Sequence, residues 1–267
     1  SRAVDVAGSF AYIGVGPRLT IVNIANPLLP SLRSQTVPLS DVIESLVYAS
    51  PYVYLVNGDG GLHIYNVSDV NNPVEVGYAD TPGSAVDVAF TIQNGVPYVF
   101  VADGDNGLLA YNVADAGNPT LVPAASYSGT NWANGTQVTL LDTVTQVSGT
   151  AEGVDIITQG ISETFVYVAS GYAGLVVWDA FPLIPPAAEV TQFVRTPAET
   201  ANDPYYVDVI AKTVVEGTDR LYVADSVAGL RIFDFAEGAG TLTHVNTAYD
   251  PALSGSAAAV AQGADLT

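Results

Sequence analysis

Cysteine and methionine are both missing from the 267 residues, and lysine occurs once, at Lys212. Without cysteine there is no thiol nucleophile, no thiolate metal site and no disulfide, so stability must come from packing and backbone pairing. Two histidines, His63 and His244, are too few for a three-histidine metal site within one chain. Basic residues number 7 against 27 acidic ones, a formal net charge of −20. Nucleic acid and anionic membrane surfaces need clustered Lys and Arg and are excluded as partners by this balance. A cation, a basic protein or plain solubility fits it better. No uninterrupted apolar run reaches the ~18 residues of a membrane-spanning helix. Phosphate-cradling loops with lysine, dinucleotide fingerprints and zinc signatures are absent too. The chain starts at Ser1 already inside a repeat, which points to a processed chain or a part of something longer.

What is present is repetition. Tyr52-Val-Tyr-Leu-Val-Asn-Gly-Asp-Gly-Gly-Leu-His-Ile-Tyr-Asn-Val67 reads as an apolar strand, a tight Gly/Asp turn and a second apolar strand. Versions of it recur down the chain, and the leucine after the turn marks the period: Leu19, Leu62, Leu108, Leu175 and Leu230, with gaps of 43, 46, 67 and 55. Units of this size with several short strands match a propeller blade. Inner strands such as Tyr98-Val-Phe-Val-Ala102 stay apolar throughout instead of alternating, as expected where both faces of a sheet are packed. Fainter fourth strands are expected at Ser34 to Val37, Val74 to Tyr78, Val190 to Val194 and Leu242 to Val245. The expected fold is an all-β propeller in one domain, 1–267, with four-stranded antiparallel blades. Its repeats span 3–44, 45–84, 85–129, 153–203 and 205–255, and the start of a sixth spans 256–267. An insertion at 126–152 carries Trp132 and an alternating stretch, 137–145, expected as a hairpin. A second, polar excursion runs from Thr196 to Pro204.

The Gly/Asn/Asp turns have a local explanation, positive φ and side-chain-to-backbone bonds in tight hairpins. Asn-Pro pairs at 26, 72 and 118 are expected to close the third strand, because proline cannot donate into a ladder. The pattern Val-Asp-Val, Tyr-Val-Ala-Asp, Gly-Leu-x-Ile-aromatic-Asp/Asn-Val, Asn-Pro resembles the LVIVD repeat family of β-propeller-like surface proteins. Copies three and five match it best, copy two has Val47 where others carry Asp, and copies four and five lack Asn-Pro. The resemblance implies a secreted or cell-surface protein of a family without an assigned activity.

Four groups of residues are candidates for chemistry. Asp5, Asp87, Asp155 and Asp208 recur once per unit, either as an acidic ring for a cation or as scaffold bonding the amides of a neighbouring turn. Asp103, Asp105 and Asn106, with Asp59 in the sibling turn, could offer oxygens to Ca²⁺, although hairpin chemistry alone accounts for them. Asn66-Val-Ser68 and Asn134-Gly-Thr136 are glycosylation sequons, of which Asn134 lies in the insertion. Trp132 is the candidate anchor of a ligand-binding insertion. His63 has no Ser or carboxylate constellation nearby in sequence. The leading expectation is a non-catalytic extracellular scaffold or adhesion module, part of a surface layer or filament, with protein partners or self-assembly. The alternatives are a sugar or lactone hydrolase using channel-mouth carboxylates, or a ligand-binding module.

Overall fold

The structure is a computed structural model, and it describes residues 3–122, 127–128, 131–132, 150–159, 163–171, 174–179, 189–194, 206–215, 217–226, 229–236 and 241–248. Every regular element among these residues is a β-strand. The chain forms two compact units, Ser1–Val122 and Pro123–Thr267.

The first unit holds three antiparallel sheets. Sheet 1 comprises β1 (Ala3–Ala7), β2 (Phe10–Val15), β3 (Arg18–Asn23) and β4 (Ser31–Gln35) in that spatial order. Sheet 2 comprises β5 (Ser45–Ala49), β6 (Tyr52–Val56), β7 (Leu62–Asn66) and β8 (Val74–Ala79), again in order. Sheet 3 runs through β9 (Asp87–Gln93), β10 (Val96–Ala102) and β11 (Leu108–Asn112), with β12 (Thr120–Leu121) paired to β11. In the second unit, β13 (Tyr127–Ser128) and β14 (Asn131–Trp132) form a small antiparallel pair. Sheet 4 is β15 (Gly153–Gln159), β16 (Glu163–Ala169), β17 (Leu175–Asp179) and β18 (Glu189–Val194). Sheet 5 is β19 (Tyr206–Val215), β20 (Thr218–Asp225), β21 (Gly229–Ala236) and β22 (Thr241–Ala248). The all-β character and the four-strand meander unit agree with the reading of the sequence. The 137–145 stretch, the 196–204 excursion and the 256–267 stub lie outside the described residues.

The uniformly apolar inner strands have the cause inferred for them. On β6, Val53 and Leu55 join Tyr12, Leu19 and Ile21 of sheet 1 in one core. Tyr54 and Val56, between them, join Val99 and Val101 of sheet 3 in another. Period-2 alternation sends successive side chains to opposite faces, and both faces are dry. A third core lies between sheets 4 and 5, where Tyr167 and Leu175 meet Tyr206, Leu221 and Phe233. Fourth strands remain exposed: β4 and β8 put most of their side chains in solvent. β4 begins at Ser31, three residues earlier than the sequence suggested.

Different residues from those expected end the third strands. Asn23, Asn66 and Asn112 each accept the amide of the residue two further on, at 2.9 Å, turning the chain out of the ladder. The Asn-Pro pairs come later. Asn72-Pro73 and Asn118-Pro119 stand directly before β8 and β12, so proline opens the fourth strand instead of closing the third.

Candidate functional site

Three repeats share one five-residue turn between their second and third strands: 57–61, 103–107 and 170–174. Its first amide bonds the carbonyl of its fifth residue, Asn57 to Gly61 at 3.2 Å, Asp103 to Gly107 at 2.7 Å and Ser170 to Gly174 at 2.8 Å. Its second and fifth residues take positive φ, 62° and 76° at Gly58 and Gly61, 57° and 79° at Gly104 and Gly107. Only glycine adopts that backbone without strain, which explains the glycine spacing. The second residue also reaches the following repeat. Gly58 and Ala85 exchange two backbone bonds of 3.0 Å, and Gly171 and Tyr206 exchange two of 3.1 Å. In the first repeat the Gly16 carbonyl accepts the Ile43 amide at 2.9 Å. The turns are clasps between neighbouring sheets.

Strand register divides the recurring aspartates into two kinds. Asp5 pairs with Tyr12 and Asp155 with Tyr167, both at the middle of the second strand. Asp87 pairs with Ala102 and Asp208 with Ala224, two positions nearer the turn. The four therefore do not occupy one position, and the idea of a ring at equal radius is corrected. At the first position Asp5 Oδ2 accepts the Tyr48 amide of the next sheet at 2.7 Å. Asp155 Oδ2 accepts the Ala211 amide of its next sheet at 2.8 Å. The other oxygen of each accepts the amide of its own successor, Val6 at 2.7 Å and Ile156 at 2.8 Å. Asp87 and Asp208 make that same local bond, to Val88 and Val209. Receiving sheets carry an apolar residue in register with Asp5, Val47 in sheet 2 and Ile210 in sheet 5. With no aspartate of their own there, their amides stay open to the clamp. Sheets 2 and 3, where Val47 has no carboxylate to extend, are joined by Tyr54 stacked on Phe90 at 5.2 Å, as Tyr12 stacks on Tyr48 at 4.8 Å.

The residue opening the turn is buried and polar in four repeats: Asn57, Asp103, Ser170 and Asp225. Asp103 Oδ2 accepts the Gly83 amide at 2.8 Å. Its Oδ1 and the buried Thr81 hydroxyl have no well-formed hydrogen bond. Asp225, at the same place in sheet 5, is paired with buried Arg231 at 2.5 Å. The position of Arg231 is held by Leu109 in sheet 3, so Asp103 has no cation there. Burial is accordingly the largest influence on Asp103 and pushes its carboxyl above the ordinary value. It outweighs Thr81 and the Gly83 amide, and Asp59 and Asp80 push the same way. Asp59 and Asp105 are exposed, and Asn106 is half-buried with its amide near Gly83. Among the described residues no three acidic or histidine side chains gather in a geometry that could hold a metal.

A raised folded-state pKa means that the folded chain takes up the proton first as pH falls. The penalty of the charged carboxyl is thus complete above that pKa and fades as pH drops through it. Asp103→Asn, which reproduces Asn57 of sheet 2, should stabilise the protein by about 1 kcal/mol near neutral pH. The gain should shrink in acid, as read by urea unfolding at several pH values. A loss of stability that appears only with added Ca²⁺ would show instead that the carboxylate holds a cation.

His63 does have a carboxylate neighbour. Glu75, twelve residues on and across the β7–β8 ladder, places Oε1 2.7 Å from His63 Nδ1, and the Tyr65 hydroxyl donates to Glu75 Oε2 at 3.4 Å. The sequence hid this because the pair meets only through strand pairing. His63 Nε2 is buried without a partner, whereas Glu75 is exposed, so the carboxylate of the dyad faces solvent and the imidazole does not. Asn66 Oδ1 accepts from both the amide and the hydroxyl of Ser68, at 2.9 and 2.7 Å. The Trp132 side chain and Asn134 lie outside the described residues.

The LVIVD repeat family model matches residues 1–36, 47–81 and 82–124. No curated protein matches the sequence. Among solved structures, a computationally designed protein, Ika8, is similar with a TM-score of 0.60 at 9% identity, over 98% of this chain and 64% of that one. Sqt1 of Saccharomyces cerevisiae is similar with a TM-score of 0.63 at 8% identity, over 92% of this chain and 62% of that one. The chain thus spans less than two thirds of either structure. At these identities the likeness concerns fold alone.

Proposed function

We propose that this chain, which carries LVIVD repeats within residues 1–124, is a non-catalytic extracellular or cell-surface scaffold or adhesion module. One observation carries the reading: two of the four recurring aspartates and the Gly-rich turns are spent on joining sheet to sheet. Asp5 and Asp155 bond the next sheet's backbone, and the Gly-rich turns do the same. A repeat array built this way gains stability from nearest-neighbour interfaces and presents extended surfaces to partners. In this reading the five sheets are blades of a propeller, and the partners are proteins or further copies of the chain. The net charge of −20 favours solubility outside such contacts. A glycan on Asn134 and Ca²⁺ near Asp103 are compatible additions to that role.

Brief proteolysis of intact cells of the source organism should release peptides of this chain. Peptides appearing only after lysis would overturn the surface role. Turnover of chromogenic sugars or lactones by the purified chain, lost when a carboxylate is replaced by its amide, would overturn the non-catalytic one.

A further inference from the structure

Three sheets carry a buried tyrosine at one position of their second strand: Tyr12, Tyr54 and Tyr167. Tyr12 stands between Asp5 and Ile21, Tyr54 between Val47 and Ile64, and Tyr167 between Asp155 and Val177. The matching position of the next sheet holds Tyr48, Phe90 and Ala211, in register with Val53, Val99 and Leu221. Of these three interfaces, only that of sheets 1 and 2 sets two phenols at this place. Their ring centres are 4.8 Å apart and the planes 14° from parallel. The hydroxyl ends lie together: after burial, the Tyr48 phenol is what pushes the Tyr12 hydroxyl up to about 12, by charge and by hydrogen bonding. Asp5 fixes the pair, because it is in register with Tyr12 and its Oδ2 accepts the Tyr48 backbone amide at 2.7 Å. The chain also has 15 tyrosines but neither cysteine nor methionine, the side chains that ordinarily absorb oxidants.

We propose that Tyr12 and Tyr48 are a covalent modification site, joined by peroxide-driven oxidation into a dityrosine that ties sheet 1 to sheet 2. The inference stands apart from the scaffold reading and does not depend on where the chain resides.

The oxidant is hydrogen peroxide acting through a peroxidase. Tyr48 is half-buried and gives up an electron and a proton first, whereas Tyr12 is only 2% exposed. The radical moves inward when the Tyr12 hydroxyl passes its hydrogen atom to the Tyr48 oxygen. A second oxidation at Tyr48 then leaves two phenoxyl radicals stacked face to face. Their unpaired electrons occupy π lobes perpendicular to the rings, partly on the carbons beside each oxygen. Near-parallel rings with hydroxyls together present those carbons along the line of the new bond, a near-attack geometry. The carbon–carbon bond forms, each joined carbon releases its hydrogen as a proton, and each oxygen takes one up. Two phenols thus lose two hydrogens between them, and one hydrogen peroxide becomes two waters. The link restrains the unfolded chain as a disulfide would, in a protein without the cysteine to make one.

The test treats the purified chain with hydrogen peroxide and a haem peroxidase, digests it at acidic residues and maps it by tandem mass spectrometry. The expected product is a monomer lighter by two hydrogens, with dityrosine fluorescence and with Tyr12 and Tyr48 in one linked peptide. Its urea midpoint should lie above that of the untreated chain. Tyr48→Phe reproduces the Tyr54–Phe90 stack, which the fold already accommodates. This variant should lose most of the fluorescence of the monomer, while Tyr52→Phe, on the adjacent strand, should keep it. Failure to find the Tyr12–Tyr48 peptide in the oxidised monomer would overturn the proposal. So would monomer fluorescence that is undiminished in Tyr48→Phe.

Discussion

Asp225→Ala should cost the second unit about 3–5 kcal/mol, because it strips a fully buried guanidinium of its carboxylate. Arg231 is 4% exposed and Asp225 0%, and their closest approach is 2.5 Å. The Arg231 guanidinium also lies 6.0 Å from the Tyr206 ring centre, a cation–π distance that does not replace an ionised partner. Both tryptophans, Trp132 and Trp178, belong to Pro123–Thr267, so urea unfolding followed by their fluorescence reads this unit. Arg231→Leu combined with Asp225→Asn should recover most of the loss. Sheet 3 already has leucine at the Arg231 position, and sheet 2 has asparagine at the Asp225 position. A single variant within about 1 kcal/mol of the parent would mean that water reaches the pair, as at exposed ion pairs.

Gly77→Ala should be the most damaging change in the first unit. A methyl group at Gly77 would sit 1.8 Å from the Ala116 carbonyl oxygen and 3.0 Å from its carbon. Both are backbone atoms of the sheet 3 repeat, so no side-chain rotation relieves the clash. Sheet 2 must move away from a core containing Ile64, Tyr111 and Ala116. Overpacking of this kind costs at least about 3 kcal/mol, since the clash is deeper than an added methylene in a core. Gly117→Ala is the control, because its methyl would find nothing closer than 3.4 Å. Unfolding followed by circular dichroism, which does not depend on tryptophan, should separate the two. Equal midpoints would mean that the sheets tolerate separation at this edge.

A common logic connects these sites. Four of the five repeats have a buried polar group at the mouth of the turn, where sheet 1 has the exposed Val15, and they fill the position differently. Asp225 receives a cation, Asn57 carries no charge, and Asp103 is a carboxyl held neutral more readily than usual by burial. The half-buried surface pair Arg220–Asp234 shows the opposite shift. Arg220 hydrogen bonds at 2.8 and 3.0 Å hold the Asp234 carboxyl below its ordinary value. Its stabilising effect is present above the unfolded pKa and disappears as pH falls through the folded one, and exposure keeps it small.

Much of this architecture is written in local chemistry. A Val-, Tyr- and Phe-rich run can bury both of its faces only between two sheets, and Val53 and Tyr54 do so on opposite sides of β6. A turn needing positive φ at two set positions demands glycine there, so Gly58-x-x-Gly61 and Gly104-x-x-Gly107 announce themselves. What strand order alone could not disclose is register. Asp5 and Asp87 sit in identical Val-Asp-Val contexts, yet they pair two positions apart because their hairpins turn at different points, after Ala7 and after Gln93. A shift of two preserves which face is apolar, so the hydrophobic pattern is blind to it. The same pairing brings Glu75 to His63 and Arg231 to Asp225, and leaves Asp103 facing leucine. Asp225 and Arg231 are six residues apart across one hairpin and His63 and Glu75 twelve apart across the next ladder, and each partnership is chosen by where antiparallel strands come into phase, which the residue types alone do not state.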